Sequence, residues 1–384
     1  MNFRLLRIFD RILGLLLYIF VIPLPMLVDR FFRPKRKAFP NQITILKLCG
    51  GGSLLMAMPA LQGLKTQYPQ ARITLVCSPE TRKFAELLDV FYDYALIDSS
   101  SILKLVTSGL KALLSVYRQD VFIDLEPHSS LAPIFTALTY SVRRIGFVKA
   151  HETHRARCYT DPLYFNIHAP IYRYYEQATS VAGARPVTIE SCRNILMQKC
   201  AEGRSIIGPE HPQPVVYISA FTSVLSPERM MPINLWISQL SKVFGSEAPF
   251  TVVLGAGADQ KIAVNNFAAK IQSMLPSVKV ITTCGTRNLR EAMMDILKAD
   301  EFWGVDSGPL HMARLLGKKC VSFWGPSNPA YRLNPIDGLN EQVFYRAYPC
   351  SPCVHVSLAS PCKGDNQCMK KIFSDEIPAP ITRF

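Results

Sequence analysis

Residues 301–317, EFWGVDSGPLHMARLLG, read as a strand that ends in a charged turn and runs directly into a helix. Ser307 or Gly308 is placed to cap that helix and Pro309 suits its first turn, so free backbone N–H groups and the helix dipole create an anion site. A phosphate group fits there. Asp306 at the strand tip can accept from sugar hydroxyls, and His311 can reach a phosphate oxygen; the plainer alternative is a good cap beside a surface histidine. A second polar group closes the segment DVFIDLEPH with Asp124, Glu126 and His128, followed by the basic residues Arg143, Arg144, His154, Arg155 and Arg157. Those cations suit a phosphorylated acceptor, or form a solvated face. Cys350, Cys353, Cys362 and Cys368 have the spacing C-x2-C-x8-C-x5-C, which suits a structural zinc or iron–sulfur site, with plain buried thiols as the alternative.

These groups need a scaffold that brings strand ends together. After a basic linker, ITILKL, a Gly-rich turn, LLMAMPALQGLKTQY and ARITLVCS spell β-α-β in a parallel sheet. YALIDS, a helix over 101–118, DVFIDLE, a helix over 129–141 and RRIGF extend it, and a helical stretch lies near 170–182. PVVYISA, FTVVLGAG, VKVITTC, EFWGVDS and KCVSFWG, with helices over 232–244, 259–273, 287–298 and 309–316, repeat the alternation. The expected fold is α/β, with two doubly wound Rossmann-like domains facing a cleft. The expected boundaries are 1–38 for a membrane-associating segment, 39–204 for the first domain and 205–384 for the second with its Cys-rich tail.

The stretch DSGPLHMARLLGKKCVSFWGPSNPAYRLNP resembles the C-terminal signature of family-nine glycosyltransferases, the heptosyltransferase family, in which D-[ST]-G-x-x-H-x-A precedes a G-x-P turn. The unit from ITILKL to ARITLV, with Pro59 in its helix, looks like the family's N-terminal unit, and the resemblance spans about residues 43–345. It implies a GT-B fold that binds a nucleotide-diphosphate sugar mainly on the C-terminal domain. It also implies inverting, metal-independent transfer to a lipopolysaccharide-type acceptor; the absence of any D-x-D motif agrees. By the same resemblance Arg229 in ERMMP neutralises the departing diphosphate, Asp259 is a ribose partner, Ser307, Gly308 and His311 bind phosphate, and Asp306 lies by the sugar. Met231 stands where the family has Trp. More consequentially, Ser53 stands where the family's glycine turn carries its catalytic Asp. A serine is no base unaided at neutral pH, though it caps a helix well. Glu126 is the chosen replacement, with helix capping or ion pairing as its alternative role.

Residues 12–28, ILGLLLYIFVIPLPMLV, form an uncharged apolar run of about 25 Å as ideal helix. That is short for a hydrocarbon core of about 30 Å, and Pro23 and Pro25 should stop or kink it. Arg4, Arg7, Arg11, Arg30, Arg33, Lys35, Arg36 and Lys37 flank both ends, a pattern of interfacial anchoring to an anionic membrane at the cytoplasmic face of the inner membrane. Hydrophobic residues at 49% against 19% charged exclude disorder, and the net charge of +14 favours anionic partners. Eleven cysteines, an odd number, speak for a reducing compartment. No aromatic-basic module suggests nucleic acid. The expected activity is therefore transfer of a sugar from a nucleotide-diphosphate donor to a lipid-linked glycan. Its rivals are a degenerate nucleotide-sugar-binding scaffold, favoured by Ser53, and, less well, a nucleotide-sugar epimerase.

Overall fold

Short β-branched runs alternating with helical stretches build two parallel sheets. This computed structural model describes residues 3–31, 35–208, 211–222, 226–354 and 360–374. The chain divides into two compact units, Met1–Cys192 and Arg193–Phe384. The division falls within a helix, Ile189–Ala201, ahead of the polar stretch 205–214 that reads as the linker in the sequence.

The first unit begins with α1 (Phe3–Val21) and α2 (Pro23–Phe31), then runs β1 (Gln42–Leu46), α3 (Gly51–Gln67), β2 (Arg72–Cys77), α4 (Pro79–Ala85) and β3 (Asp93–Leu96). It continues α5 (Ile102–Ser115), β4 (Val121–Asp124), α6 (Leu131–Leu138), β5 (Arg143–Val148), β6 (Asp161–Tyr164), α7 (Ile171–Val181) and α8 (Ile189–Ala201). Its sheet has the order β3-β2-β1-β4-β5-β6 with every pairing parallel. The direction of winding reverses between β1 and β4, the switch point at which open α/β sheets bind ligands.

The second unit runs β7 (Val215–Ser219), α9 (Ile233–Phe244), β8 (Thr251–Leu254), α10 (Lys261–Met274), β9 (Lys279–Thr282), α11 (Leu289–Lys298), β10 (Glu301–Val305) and α12 (Gly308–Leu315). β11 (Lys319–Trp324), α13 (Pro329–Arg332), β12 (Glu341–Tyr345) and α14 (Gln367–Lys370) complete it. The order β12-β11-β10-β7-β8-β9 repeats the doubly wound plan, again all parallel, with its switch between β7 and β10. Trp236, Trp303 and Phe323 fill its core, Trp236 meeting Phe323 edge-on at 4.8 Å between ring centroids.

The N-terminal apolar run breaks where its prolines fall. α1 ends at Val21 and α2 starts at Pro23, a position where the missing N–H has no helical partner to lose. Two carboxylates fasten this helix pair to the first unit. Asp10 accepts from Ser129 Oγ at 2.8 Å and from the backbone N–H groups of Ser130 at 2.7 Å and Leu131 at 3.1 Å, which caps α6 from outside its own sequence. Asp29 pairs with the guanidinium of buried Arg144. Gly14 permits the approach, because a Cβ there would lie 2.6 Å from the Cβ of Ser130. Ile22 joins Ile134, Ala137 and Cys158 in a small core, while Ile12, Leu15, Ile19, Phe20, Leu24 and Leu27 face outward. Of the flanking cations, Arg33 lies outside the described residues, as do the side chains of Arg4, Arg7 and Arg11.

Candidate active-site residues

In the first unit, the register that sets Leu46 opposite Asp124 carries Glu126 across to the turn after β1. Its Oε1 accepts from Lys47 Nζ at 2.9 Å and from the Cys49 N–H at 3.1 Å. Both charged side chains are largely buried, at 7% exposure for Lys47 and 12% for Glu126. The strand-end acid therefore sits on the glycine turn itself. Ser53 is nearby but does not cap α3: Gly50, at φ 98°, is the N-cap residue, and Ser53 occupies the first turn with its N–H donating to the Gly50 carbonyl at 2.9 Å. The capping expected of Ser53 is corrected on this point, since only glycine adopts that left-handed geometry without strain.

Asp124 lies beneath, 1% exposed, and both of its oxygens are engaged. Oδ1 accepts from the Glu126 N–H at 2.8 Å and Oδ2 from the Tyr159 hydroxyl at 2.6 Å. Arg155 closes the group, donating to the carbonyls of Pro127 at 3.0 Å and Glu126 at 3.2 Å and pairing with Glu152. His128 is exposed and meets Phe165 edge-on. The basic stretch is thus not the open acceptor patch that the sequence suggests. Arg155 is buried, Arg144 belongs to Asp29, and Arg143 pairs with Asp161 at 3.2 Å, leaving His154 and Arg157 exposed.

Burial raises the Asp124 carboxyl to about 6, although Arg155, Tyr159 and the Glu126 N–H pull the other way. The folded state thus holds this proton more tightly than the unfolded chain, whose carboxyl titrates near 3.8. The contribution is fully present below about pH 4 and is lost as pH rises through about 6, roughly 3 kcal/mol in all. Asp124→Asn should remove it. In denaturant titrations the variant should gain stability relative to the parent by that order between pH 4 and 7. A difference that does not vary with pH would show that Asp124 carries no such strain.

In the second unit, β10 delivers Asp306 and α12 begins beside it. Arg229, in a single 3₁₀ turn at Pro227–Arg229, donates from Nη1 to the Asp306 carbonyl at 2.6 Å and lies 3.5 Å from Asp306 Oδ2. His311 Nε2 stands 3.6 Å from Asp306 Oδ1, and both residues are almost fully buried. Burial alone would raise the Asp306 carboxyl, but His311, Arg229 and Arg332 outweigh it and hold it well below the usual carboxylate range. Burial pushes His311 down despite Asp306, which favours its neutral form. Ser307 is the N-cap residue of α12, yet its Oγ makes no capping bond. Among the described residues no group hydrogen-bonds the buried Ser307 Oγ and Asp306 Oδ2 atoms. Gly308 opens the helix with Pro309 behind it. Two orphaned polar atoms at a helix N-terminus, flanked by two guanidinium groups, describe a place for an anion with hydroxyls attached.

Asp259 does not join this group. It is exposed on the turn after β8, two strands along the sheet from β10, with Oδ1 lying over Gly257. Two residues of the site give no motif signal: Arg332, on α13, and Asn366, whose Nδ2 donates to the carbonyls of Glu228 at 2.9 Å and Met230 at 2.7 Å and so fixes the turn bearing Arg229. Met231, where a Trp would stand, lines a cavity of about 370 Å³ with Phe221, Trp236 and Phe267.

The tail cysteines gather without forming a ligand set. Among the described residues no three His, Cys, Asp or Glu side chains are placed to hold a metal ion. Cys353 and Cys368 are buried, and burial, reinforced by the neighbouring thiols, pushes each up to about 12. Cys368 packs in the core beside Met369. The described residues thus supply no ligand set for the zinc or iron–sulfur site expected at Cys350, Cys353, Cys362 and Cys368, and burial favours the neutral thiols of Cys353 and Cys368.

Two doubly wound parallel units in one chain, each presenting polar groups at its switch point, define the GT-B class of fold. The chain belongs to glycosyltransferase family 9, the heptosyltransferase family, whose sequence profile matches residues 110–362. Escherichia coli ADP-heptose LPS heptosyltransferase II shares the fold at a TM-score of 0.59 and 15% identity, over 85% of this chain and 98% of that one. E. coli heptosyltransferase WaaC, solved with ADP, gives 0.59 at 14% identity over 80% and 93%. A family 9 glycosyl transferase from Veillonella parvula gives 0.57 at 15% identity over 80% and 86%. No curated protein matches the sequence.

Proposed function

We propose that the chain moves a sugar from a nucleoside-diphosphate donor to a hydroxyl of a lipid-linked glycan, with inversion and without a metal ion, at the cytoplasmic face of the inner membrane. The observation that carries the donor half is the pair of orphaned buried atoms, Asp306 Oδ2 and Ser307 Oγ, at the start of α12 between Arg229 and Arg332. A diphosphate meets the helix N-terminus and the cations, while Asp306 receives a sugar hydroxyl. As the acceptor oxygen bonds to the anomeric carbon, its proton passes to Glu126. The bond from that carbon to the phosphate oxygen breaks, and the nucleoside diphosphate leaves with its added charge met by Arg229 and Arg332.

The acceptor half rests on the N-terminal helix pair. Ile12–Phe31 is apolar and long enough to cross a membrane by length and composition, yet only 17% of the window is buried in the protein. Asp10 and Asp29 tie both helices to the first unit, so with those bonds kept the pair lies in the interface rather than across the bilayer. The rival reading, a binding protein without turnover, draws on Ser53, a hydroxyl where the family's base would be.

A thermal-unfolding panel of nucleoside diphosphates and their sugars tests the donor half. A ligand at about 100 times its Kd adds roughly 2.7 kcal/mol, enough to raise the midpoint by several degrees. One base should stand out and name the donor class. No shift with any of them would remove the donor assignment.

A further inference from the structure

The crossover helix α5 packs Leu105 and Ala112, with Val116 just past its end, against the sheet. Its other face is bare: Leu103 is 74% exposed, Leu110 58% and Leu114 76%, with Ile102, Val106 and Tyr117 extending the stripe. A Cβ added at Gly109 would meet nothing within 4 Å among the described residues. Ordinary crossover helices show polar residues to water, and a contiguous apolar stripe marks a binding surface.

The steps from β3 to β4 and from β4 to β5 run the same way across the sheet, so right-handed crossovers put α5 and α6 on one face. Phe135 and Ala132 of α6 share one buried cluster with Ala112 of α5 and with Val116 just past its end, as that placement requires. α1 and α2 rest on α6, and their outward apolar residues therefore belong to the same side of the unit. Charge selects the occupant. Lys104, Lys111 and Arg118 are exposed along the stripe, the helix itself carries no acid, and Lys104 lies 3.7 Å from Asp98. A second copy of a chain with net charge +14 would set these cations against their own counterparts, whereas anionic headgroups complement them.

We propose that the exposed face of α5 is a second bilayer contact, inserting its leucines among acyl chains while Lys104 and Lys111 meet anionic headgroups. The inference rests on the interfacial reading of α1 and α2 and adds to it: two separated contacts fix the tilt of the first unit on the membrane, where one helix pair would let it swivel.

The test uses indole probes in the full chain. The native Trp236, Trp303 and Trp324 are buried in the second unit, so Leu110→Trp and Phe20→Trp each report one contact. With vesicles of phosphatidylcholine and phosphatidylglycerol carrying brominated acyl chains, both probes should be quenched. Leu103→Asp combined with Leu114→Asp should lower vesicle partitioning at least about tenfold, because two leucines leave the apolar phase and two cations gain competing acids. Quenching of Phe20→Trp alone would overturn the α5 contact and leave the helix-pair anchor standing. Quenching of neither would overturn both. A lipid-independent blue shift of Leu110→Trp that grows with protein concentration, together with a dimer in sedimentation, would assign the face to a second copy and overturn the proposal.

Discussion

Glu126→Gln should lower turnover by about 10²–10⁴-fold while leaving donor affinity unchanged, the usual cost of losing a general base. The amide keeps the shape of the carboxylate and can still accept from the Cys49 N–H and Lys47, so the turn after β1 should hold its form. What it loses is the capacity to take a proton. Lys47 must loosen its bond to this carboxylate as Glu126 takes the proton. Asp124→Asn separates the two acids: buried with both oxygens engaged, Asp124 positions the Glu126 backbone and should cost turnover far less. Ser53→Asp, in the first turn of α3, should be tolerated or raise activity. Full turnover in Glu126→Gln, with unfolding midpoints unchanged, would defeat the assignment. No turnover in the parent chain with any nucleotide sugar and glycolipid would favour the binding-protein reading.

The second large effect belongs to the donor side. Arg229→Ala should weaken nucleoside-diphosphate binding by about 1.5–3 kcal/mol, roughly 10- to 150-fold in Kd by calorimetry. One guanidinium arm is held by the Asp306 carbonyl, which orients the group and leaves other N–H donors for phosphate oxygens. Arg229→Lys should recover only part of the loss, because an ammonium lacks the planar fork. Arg229→Ala also strips a counterion from buried Asp306, so the apo variant should unfold at lower temperature. Lower stability with an unchanged Kd would mean that Arg229 only neutralises Asp306.

The alternation of strand and helix was legible because burial on both faces of a parallel sheet leaves short apolar runs with a clear period. The grouping of Asp306, Ser307 and His311 was legible for a related reason: they lie within one strand–helix junction, where spacing alone fixes proximity. Elements with weak periodicity escaped, among them α8, the edge strands β6 and β12, and the short α4. Long-range pairings escaped as well. Nothing local says that Glu126 reaches Lys47 and Cys49, 79 and 77 residues earlier; that follows from β4 lying beside β1. The basic stretch misled because sequence cannot distinguish a solvated arginine from one that donates to buried carbonyls, as Arg155 does. Asp259 lies two strands along the sheet from Asp306, a separation that the sequence does not show. The cysteines share a neighbourhood, but metal binding depends on where sulfur atoms point, which spacing does not encode.

The bonds from Asp10 and Asp29 have a consequence for how the chain is made. Their partners lie 115 to 121 residues downstream, in α6 and β5. A ribosome adding about 5–20 residues per second takes roughly 6–24 s to reach them. Throughout that interval the newborn helix pair has neither the helix it will cap nor the arginine it will neutralise, and its inner apolar side is as bare as its outer one. Targeting to the bilayer during synthesis and docking onto the finished domain thus compete for one surface in a fixed order. A chain shortened at its N-terminus to improve solubility would emerge without that competition, but would finish without Asp10 at the start of α6 and without Asp29 against buried Arg144.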